Sequence, residues 1–218
     1  MLILMQGMVP RHHKYQTYEH GKSLVRALPP IYNPHTKDAI TLEHIVPKSI
    51  LLNQPHTDAK LAVKDLHNVF ACGRTLNQAR GCLRFSHRSF PAQDRILDLR
   101  HVEGANFIDK KHETFCMNPH YRGLVARAVL HMAHCWGCPA EEVVRGGEQT
   151  LWKWHRAHPP STAEMLHNYL VLRTQNTTNM FISNCTDHTA MLEEIHETQS
   201  GVDRCAWPRA DDDDAGLQ

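Results

Sequence analysis

Ala39-Ile-Thr-Leu-Glu-His-Ile-Val46 with Pro47, Asn68-Val-Phe-Ala71, and Gly73-Arg-Thr-Leu-Asn-Gln-Ala-Arg80 with Gly81 are the segments that decide the fold. The β-branched Ile40, Thr41, Ile45 and Val46 favour a short strand, and Pro47 stops it because proline cannot donate to a ladder. A polar loop follows, with Asn53, Pro55 and Asp58 as turn formers. Asn68–Ala71 reads as a second short strand. Gly73–Arg80 reads as a helix that Gly81 ends. The order is therefore strand, long loop, strand, helix.

The chemistry in this stretch begins with Glu43-His44 at the end of the first strand. A carboxylate suits a hard cation such as Mg²⁺, and an imidazole can deprotonate water. In a chain with 18 histidines, such a pair alone is more often a solvated pair than a site. Two later segments raise its standing: Asp65-Leu-His-Asn68, and Asn77-Gln-Ala-Arg80 on the predicted helix. An asparagine carbonyl oxygen can complete a Mg²⁺ shell that keeps several waters.

These residues resemble the bacterial endonuclease I family of nonspecific DNA/RNA nucleases, in the His-metal finger (ββα-metal) superfamily. Thr41-Leu-Glu-His-Ile-Val-Pro-Lys-Ser49 is similar to the family's Arg-Glu-His-Val-Trp-Pro-Lys-Ser, and Asp65-Leu-His-Asn-Val69 to Asp-Leu-His-Asn-Leu. Asn77-Gln-Ala-Arg-Gly81 stands where the family has Asn-Gly-Asp-Arg. Further on, Gly123-Leu-Val-Ala-Arg-Ala128 resembles Gly-Asp-Ile-Ala-Arg-Ala. Trp154-His155, Pro159, Glu164, Asn168 and Gln175 follow a Trp-His…Pro…Glu…Asn…Gln series, and Asn179-Met-Phe-Ile182 stands for Asn-Pro-Phe-Ile. The blocks run in order from about 41 to 182, and together they are far more specific than any one alone.

The resemblance implies an α+β fold, predominantly helical, a single domain built around a small ββα-metal motif. It implies a Mg²⁺-dependent endonuclease that hydrolyses phosphodiester bonds of DNA, with RNA as a second substrate class, and leaves 5′-phosphate ends. Carried over by position, His44 is the general base, and Glu43 and Asn77 hold one Mg²⁺. Arg80 contacts phosphate near the reacting centre. Asn68 fixes the loop after the first strand, and His67 is either part of the motif's support or a packed structural histidine. Lys48, Arg74, Arg84, Arg88 and Arg127 are further phosphate-contact candidates, each weighed against an ordinary solvated side chain. Leu42 replaces an arginine of the family. Gln78-Ala79 replace Gly-Asp, which leaves open how the helix start is pinned. Because Glu43, His44 and Asn77 are all present, an active enzyme is expected. The alternative is a catalytically decayed nuclease fold, stabilised by cysteine and histidine, that binds nucleic acid or another partner.

Outward from this stretch, residues 1–38 form an N-terminal extension interrupted by Pro29-Pro30 and Asn33-Pro34. Residues 39–198 form the nuclease domain. Tyr121, Leu124, Val125, Ala128, Val129 and Met132 recur at helical spacing, with Arg127, His131 and His134 on the opposite side. A Trp-rich helix spans 148–156, where Trp152 and Trp154 are expected in the core rather than stacked on bases. Ser161-Thr-Ala-Glu164 is a capping box that opens a helix burying Leu166, Tyr169 and Leu170. Residues 199–218 read as an acidic, solvated tail.

The 24 Lys+Arg balance 23 Asp+Glu to a net charge of +1, which excludes a grossly basic nucleic-acid coat. The run Asp211–Asp214 hides a net-basic remainder, however. Seven cysteines form no dense framework; disulfides or buried thiols account for them better than a redox or zinc role for Cys135-Trp-Gly-Cys138. No stretch approaches the about 20 apolar residues of a membrane span. No base-reading motif is evident, so sequence specificity is not expected, nor is a protein partner. The apolar start Met1–Pro10 is not read as a signal peptide. Two glycosylation sequons, at Asn176 and Asn184, and the resemblance favour an exported protein, but the location stays open.

Overall fold

Ile40 and Thr41 do open a strand, β1 (Ile40–His44), and it pairs antiparallel with β2 (Val69–Gly73) in a register running from Ile40↔Gly73 to His44↔Val69. The computed structural model describes residues 18–55, 58–87 and 99–184, and all of them lie in one contact unit. The helices in chain order are α1 (Tyr18–Arg26), α2 (Lys48–Leu52), α3 (Ala59–Ala62), α4 (Arg74–Arg80), α5 (Arg122–Trp136), α6 (Ala140–Val143), α7 (Gly147–Ala157), α8 (Thr162–Gln175) and α9 (Met180–Ser183). A second sheet holds β3 (Arg84–Ser86), β4 (Leu99–Glu103), β5 (Asn106–Asp109) and β6 (Thr114–Cys116) in the order β3-β6-β5-β4. The fold is α+β.

The first sheet and α4 form the expected ββα unit, and short-range chemistry holds it. β1 ends at His44, short of the expected stop at Pro47, and Pro47 instead opens α2. Asn68, fully buried, clamps the strand exit: its Oδ1 accepts from the Val46 amide at 2.8 Å and its Nδ2 donates to the Val46 carbonyl at 3.0 Å. Gly73 caps α4 with no side-chain bond, so the orphan donors of the first turn need another acceptor. Asp38 supplies it, because its carboxylate accepts from the Thr75 amide. Gly81 closes the helix at φ 49°, in the left-handed region that glycine enters without a Cβ penalty.

The main core lies between this unit, the second sheet and α5–α7, with Ile45, Leu76, Phe85, Phe115, Val125, Val129 and Leu151 buried together. A smaller cluster, Tyr18, Val25, Leu66, Val69 and Val171, joins α1 and α8 to the ββα unit. Thus α1, within the segment read as an extension, packs on the body of the molecule. At the start of α5, a Cβ on Gly123 would meet the His158 carbonyl oxygen at 2.3 Å, so only glycine allows this approach.

Four further sequence expectations change. The side of α5 carrying Arg127 and His131 is buried, because each residue has an acidic partner, Glu164 and Asp65 respectively. The inner stripe of α8 is Glu164, His167, Asn168, Val171 and Gln175, not Leu166, Tyr169 and Leu170. Ser161 does cap α8, accepting from the Glu164 amide at 3.3 Å, but the Glu164 carboxylate turns to Arg127 instead of reaching back. Trp154 is buried, whereas Trp152 is 37% exposed and meets Phe181 edge-on. The cysteines described (72, 82, 116, 135 and 138) form no disulfide among themselves, and Cys72, Cys116 and Cys138 are buried. The tail, Trp207, Cys185 and Cys205 lie outside the described residues.

Candidate active site

Glu43 sits near the end of β1 with its side chain almost fully buried. Arg80, at the end of α4, is equally buried and brings Nη1 to 3.1 Å from Glu43 Oε1. That guanidinium is aimed elsewhere, however: Nη1 donates to the His44 carbonyl at 3.0 Å and Nη2 to the Ile45 carbonyl at 2.5 Å. Glu43 Oε1 is therefore buried without a hydrogen bond. Burial pushes the Glu43 carboxyl up to about 7, and the Arg80 charge only partly opposes this. A buried carboxylate whose oxygen has an ion-pair contact but no aligned hydrogen bond is an environment that a divalent cation satisfies.

Next in sequence, His44 places Nε2 3.3 Å from the Val63 carbonyl oxygen. A carbonyl only accepts, so Nε2 carries the proton and Nδ1 keeps the lone pair. Burial, then the nearby Lys48 charge, lowers the imidazole to about 4. His44 is thus a neutral acceptor throughout the physiological range. On α4, the Asn77 amide donates to Thr41 Oγ1 at 3.0 Å and to the Leu42 carbonyl at 3.1 Å. With both donors used on β1, Oδ1 is the amide's remaining polar atom, a neutral oxygen of the kind Mg²⁺ takes. The residues expected to hold a cation are thus a buried carboxylate and an oriented amide oxygen, which fits Mg²⁺ chemistry.

A groove of about 450 Å³ opens over His44. Lys22, Lys48, Lys60 and Lys64 line it with Leu42; among the described residues no carboxylate lines it, and neither Glu43 nor Asn77 does. Of the expected phosphate contacts, Lys48 lines this groove. Arg74 and Arg84 are exposed on the surface, Arg84 reaching towards the Glu141 carbonyl at 3.5 Å. Arg88 lies outside the described residues. Arg80 and Arg127 do not face solvent. Arg80 lies beneath the site with Phe85 under its guanidinium at 4.5 Å. Arg127 grips Glu164 through Nε at 2.5 Å and Nη2 at 2.7 Å, and the His158 carbonyl through Nη1 at 2.7 Å. Arg127 has its donors committed inside the protein, and Arg80 commits both terminal nitrogens to backbone carbonyls while its Nε is buried without a hydrogen-bond partner; both have the geometry of internal braces.

His67 is buried, with Nε2 3.2 Å from the Thr177 carbonyl. Asn68 forms the clamp described above. Sequence reading missed Lys22, Lys60 and Lys64, which come from α1 and from around α3; Lys22 and Lys60 carry no local signal, whereas Lys64 stands beside the Asp65-Leu-His-Asn68 motif. It also missed Asp38, although an aspartate shortly before a strand that precedes a helix on the same unit is a usable cap signal.

A model of the family described as Endonuclease I matches residues 31–186 of this chain. No curated protein matches it.

Proposed function

The chain belongs to the endonuclease I family, and on that premise we propose that it is a Mg²⁺-dependent, sequence-nonspecific nuclease with His44 as general base. Membership makes it a nuclease acting on nucleic acid; the ion, the base and the product ends are our reading. The observation that carries it is the pairing, on adjacent residues, of a neutral acceptor imidazole and a buried carboxylate whose Oε1 is ion-paired with Arg80 but lacks an aligned hydrogen bond.

Glu43 and Asn77 would hold Mg²⁺, which supplies positive charge to the phosphate oxygens as the bond to the leaving oxygen breaks. His44 Nδ1 takes the proton from the attacking water, while the Val63 carbonyl holds the ring's other nitrogen protonated. The water oxygen bonds to phosphorus, the P–O3′ bond breaks, and the leaving oxygen takes a proton from solvent while His44 returns its own to solvent, so the products are a 5′-phosphate and a 3′-hydroxyl. Arg80 is a positioning residue. Its bonds to the carbonyls of His44 and Ile45 fix the strand exit, and its charge beside Glu43 favours the ionised carboxylate that a cation needs. The four lysines of the groove draw the polyanion over His44 without reading bases.

The test is incubation of the full chain with supercoiled plasmid and with RNA, in Mg²⁺ and in EDTA. Nicking in Mg²⁺ that stops in EDTA and leaves ends ligatable through a 5′-phosphate is the expected result. Cleavage that persists in EDTA would refute metal dependence.

A further inference from the structure

Asp65, His67 and His131 are buried side chains that the reaction above does not use, and their potential ligand atoms lie within 4.8 Å of one another. Asp65 precedes the 3-10 turn Leu66–Asn68, which contains His67, while His131 comes from the middle of α5. Asp65 Oδ2 and His131 Nε2 are 3.2 Å apart. A charge-assisted imidazole–carboxylate bond is usually about 2.7–2.9 Å. Two ligands of one tetrahedral ion, with bonds of about 2.0–2.1 Å, sit about 3.3 Å apart. The observed spacing is long for the first and close to the second.

The surroundings are those of oriented ligands. His67 Nε2 lies 3.2 Å from the Thr177 carbonyl and 3.4 Å from the Thr177 hydroxyl; the nearer carbonyl, which only accepts, favours the proton on that nitrogen and the lone pair on Nδ1. Asp65 Oδ1 accepts from the His67 amide at 3.0 Å, and Oδ2 from Trp136 Nε1 at 2.7 Å. A carboxylate has about four lone-pair positions, so these donors orient it without exhausting it. On the far side of the His131 ring, Nδ1 is 3.8 Å from Cys135 Sγ.

We propose that Asp65, His67 and His131 form a structural site for a borderline divalent cation such as Zn²⁺, separate from the catalytic centre. One oxygen and two imidazole nitrogens favour zinc or cobalt over Mg²⁺, which prefers oxygen ligands. The ion fastens the turn before β2, and with it the Asn68 clamp, to α5. Facing the Asp65 carboxylate at 3.2 Å, His131 Nε2 carries a proton in the metal-free protein. On binding, the ion takes the Nε2 lone pair and that proton leaves to solvent.

Co²⁺ is the probe, titrated into the full chain after dialysis against EDTA. The expected result is intense visible absorption of a tetrahedral Co²⁺ centre at one ion per chain, proton release on binding at neutral pH, and a higher Tm with Zn²⁺. Glu43→Gln and His44→Ala retain all three, whereas His131→Phe and Asp65→Asn lose the absorption. Should those two variants fail to fold, the wild-type absorption and proton release still decide. No visible bands and no change of Tm with Zn²⁺ would overturn the proposal. So would bands that survive in folded His131→Phe or vanish in Glu43→Gln. Because none of these readouts is activity, failure here leaves the nuclease reading standing, and an inactive protein can still pass.

Discussion

His44 and Glu43 are neighbours in the chain with opposite electrostatic fates, and both follow from burial. Desolvation disfavours the charged form, so it keeps the imidazole neutral and pushes the carboxyl towards its neutral acid. The first effect prepares a base; the second is a cost that a cation relieves. A carboxyl near 7 when folded and near 4.5 when unfolded binds more protons in the folded state between those values. Metal-free stability therefore falls from this residue as pH rises from about 4.5 through 7. His44 acts in the opposite sense between about 4 and 6.5, so Glu43→Gln is compared with wild type to isolate the carboxyl. Urea denaturation in EDTA should show the variant gaining on wild type as pH rises from 5 to 8. Mg²⁺ should raise the wild-type Tm more at pH 8 than at pH 5.5, and Glu43→Gln should lose that difference. Equal shifts at both pH values would contradict a buried Glu43 ligand.

At the scale of elements, the ββα unit was legible because each of its signals is local. β-branched residues, Pro47, Gly73 and Gly81 state the strand, its stop, and both ends of the helix within a few positions of one another. Two other parts were not legible. The second sheet rests on strands of three to five residues, and its β3–β6 pair is parallel and joins residues 84–86 to 114–116. Such pairing is set by tertiary contact and not by any short pattern. The inner face of α8 misled for a different reason. Its buried stripe has helical period but is mostly polar, and a hydrophobic count overlooks polar groups whose partners lie elsewhere in the chain. Glu164 is the clearest case, as its partner Arg127 is on α5. Removing one member of a buried pair leaves the other charge unpaired, at a cost of about 3–5 kcal/mol. Glu164→Ala should lose that much in a urea titration without a loss of catalysis by the fraction still folded. A loss under about 1 kcal/mol would mean that the pair behaves as a surface bridge.

For the whole molecule, the net charge of +1 says little about the partner, because position matters more than sum. Lys22, Lys48, Lys60 and Lys64 are scattered in sequence, yet folding gathers them at one groove over His44. Lys48 and Lys64 stand beside recognisable motifs, whereas Lys22 and Lys60 do not. Each lysine that contacts a phosphate releases a counterion, so each Lys→Gln change should flatten the log–log salt dependence of duplex binding by about 0.9. Titration of fluorescent duplexes with the four single variants, each on a His44→Ala background to prevent cleavage, measures this slope. Unchanged slopes in all four would move the nucleic acid to another face. The proposed reaction turns on His44, and single-turnover cleavage of plasmid by His44→Ala in Mg²⁺ tests it most directly. The prediction is a rate about 10²–10⁴-fold below wild type, with DNA affinity and the Mg²⁺-induced Tm shift retained. A rate equal to wild type in a folded variant would contradict His44 as the base.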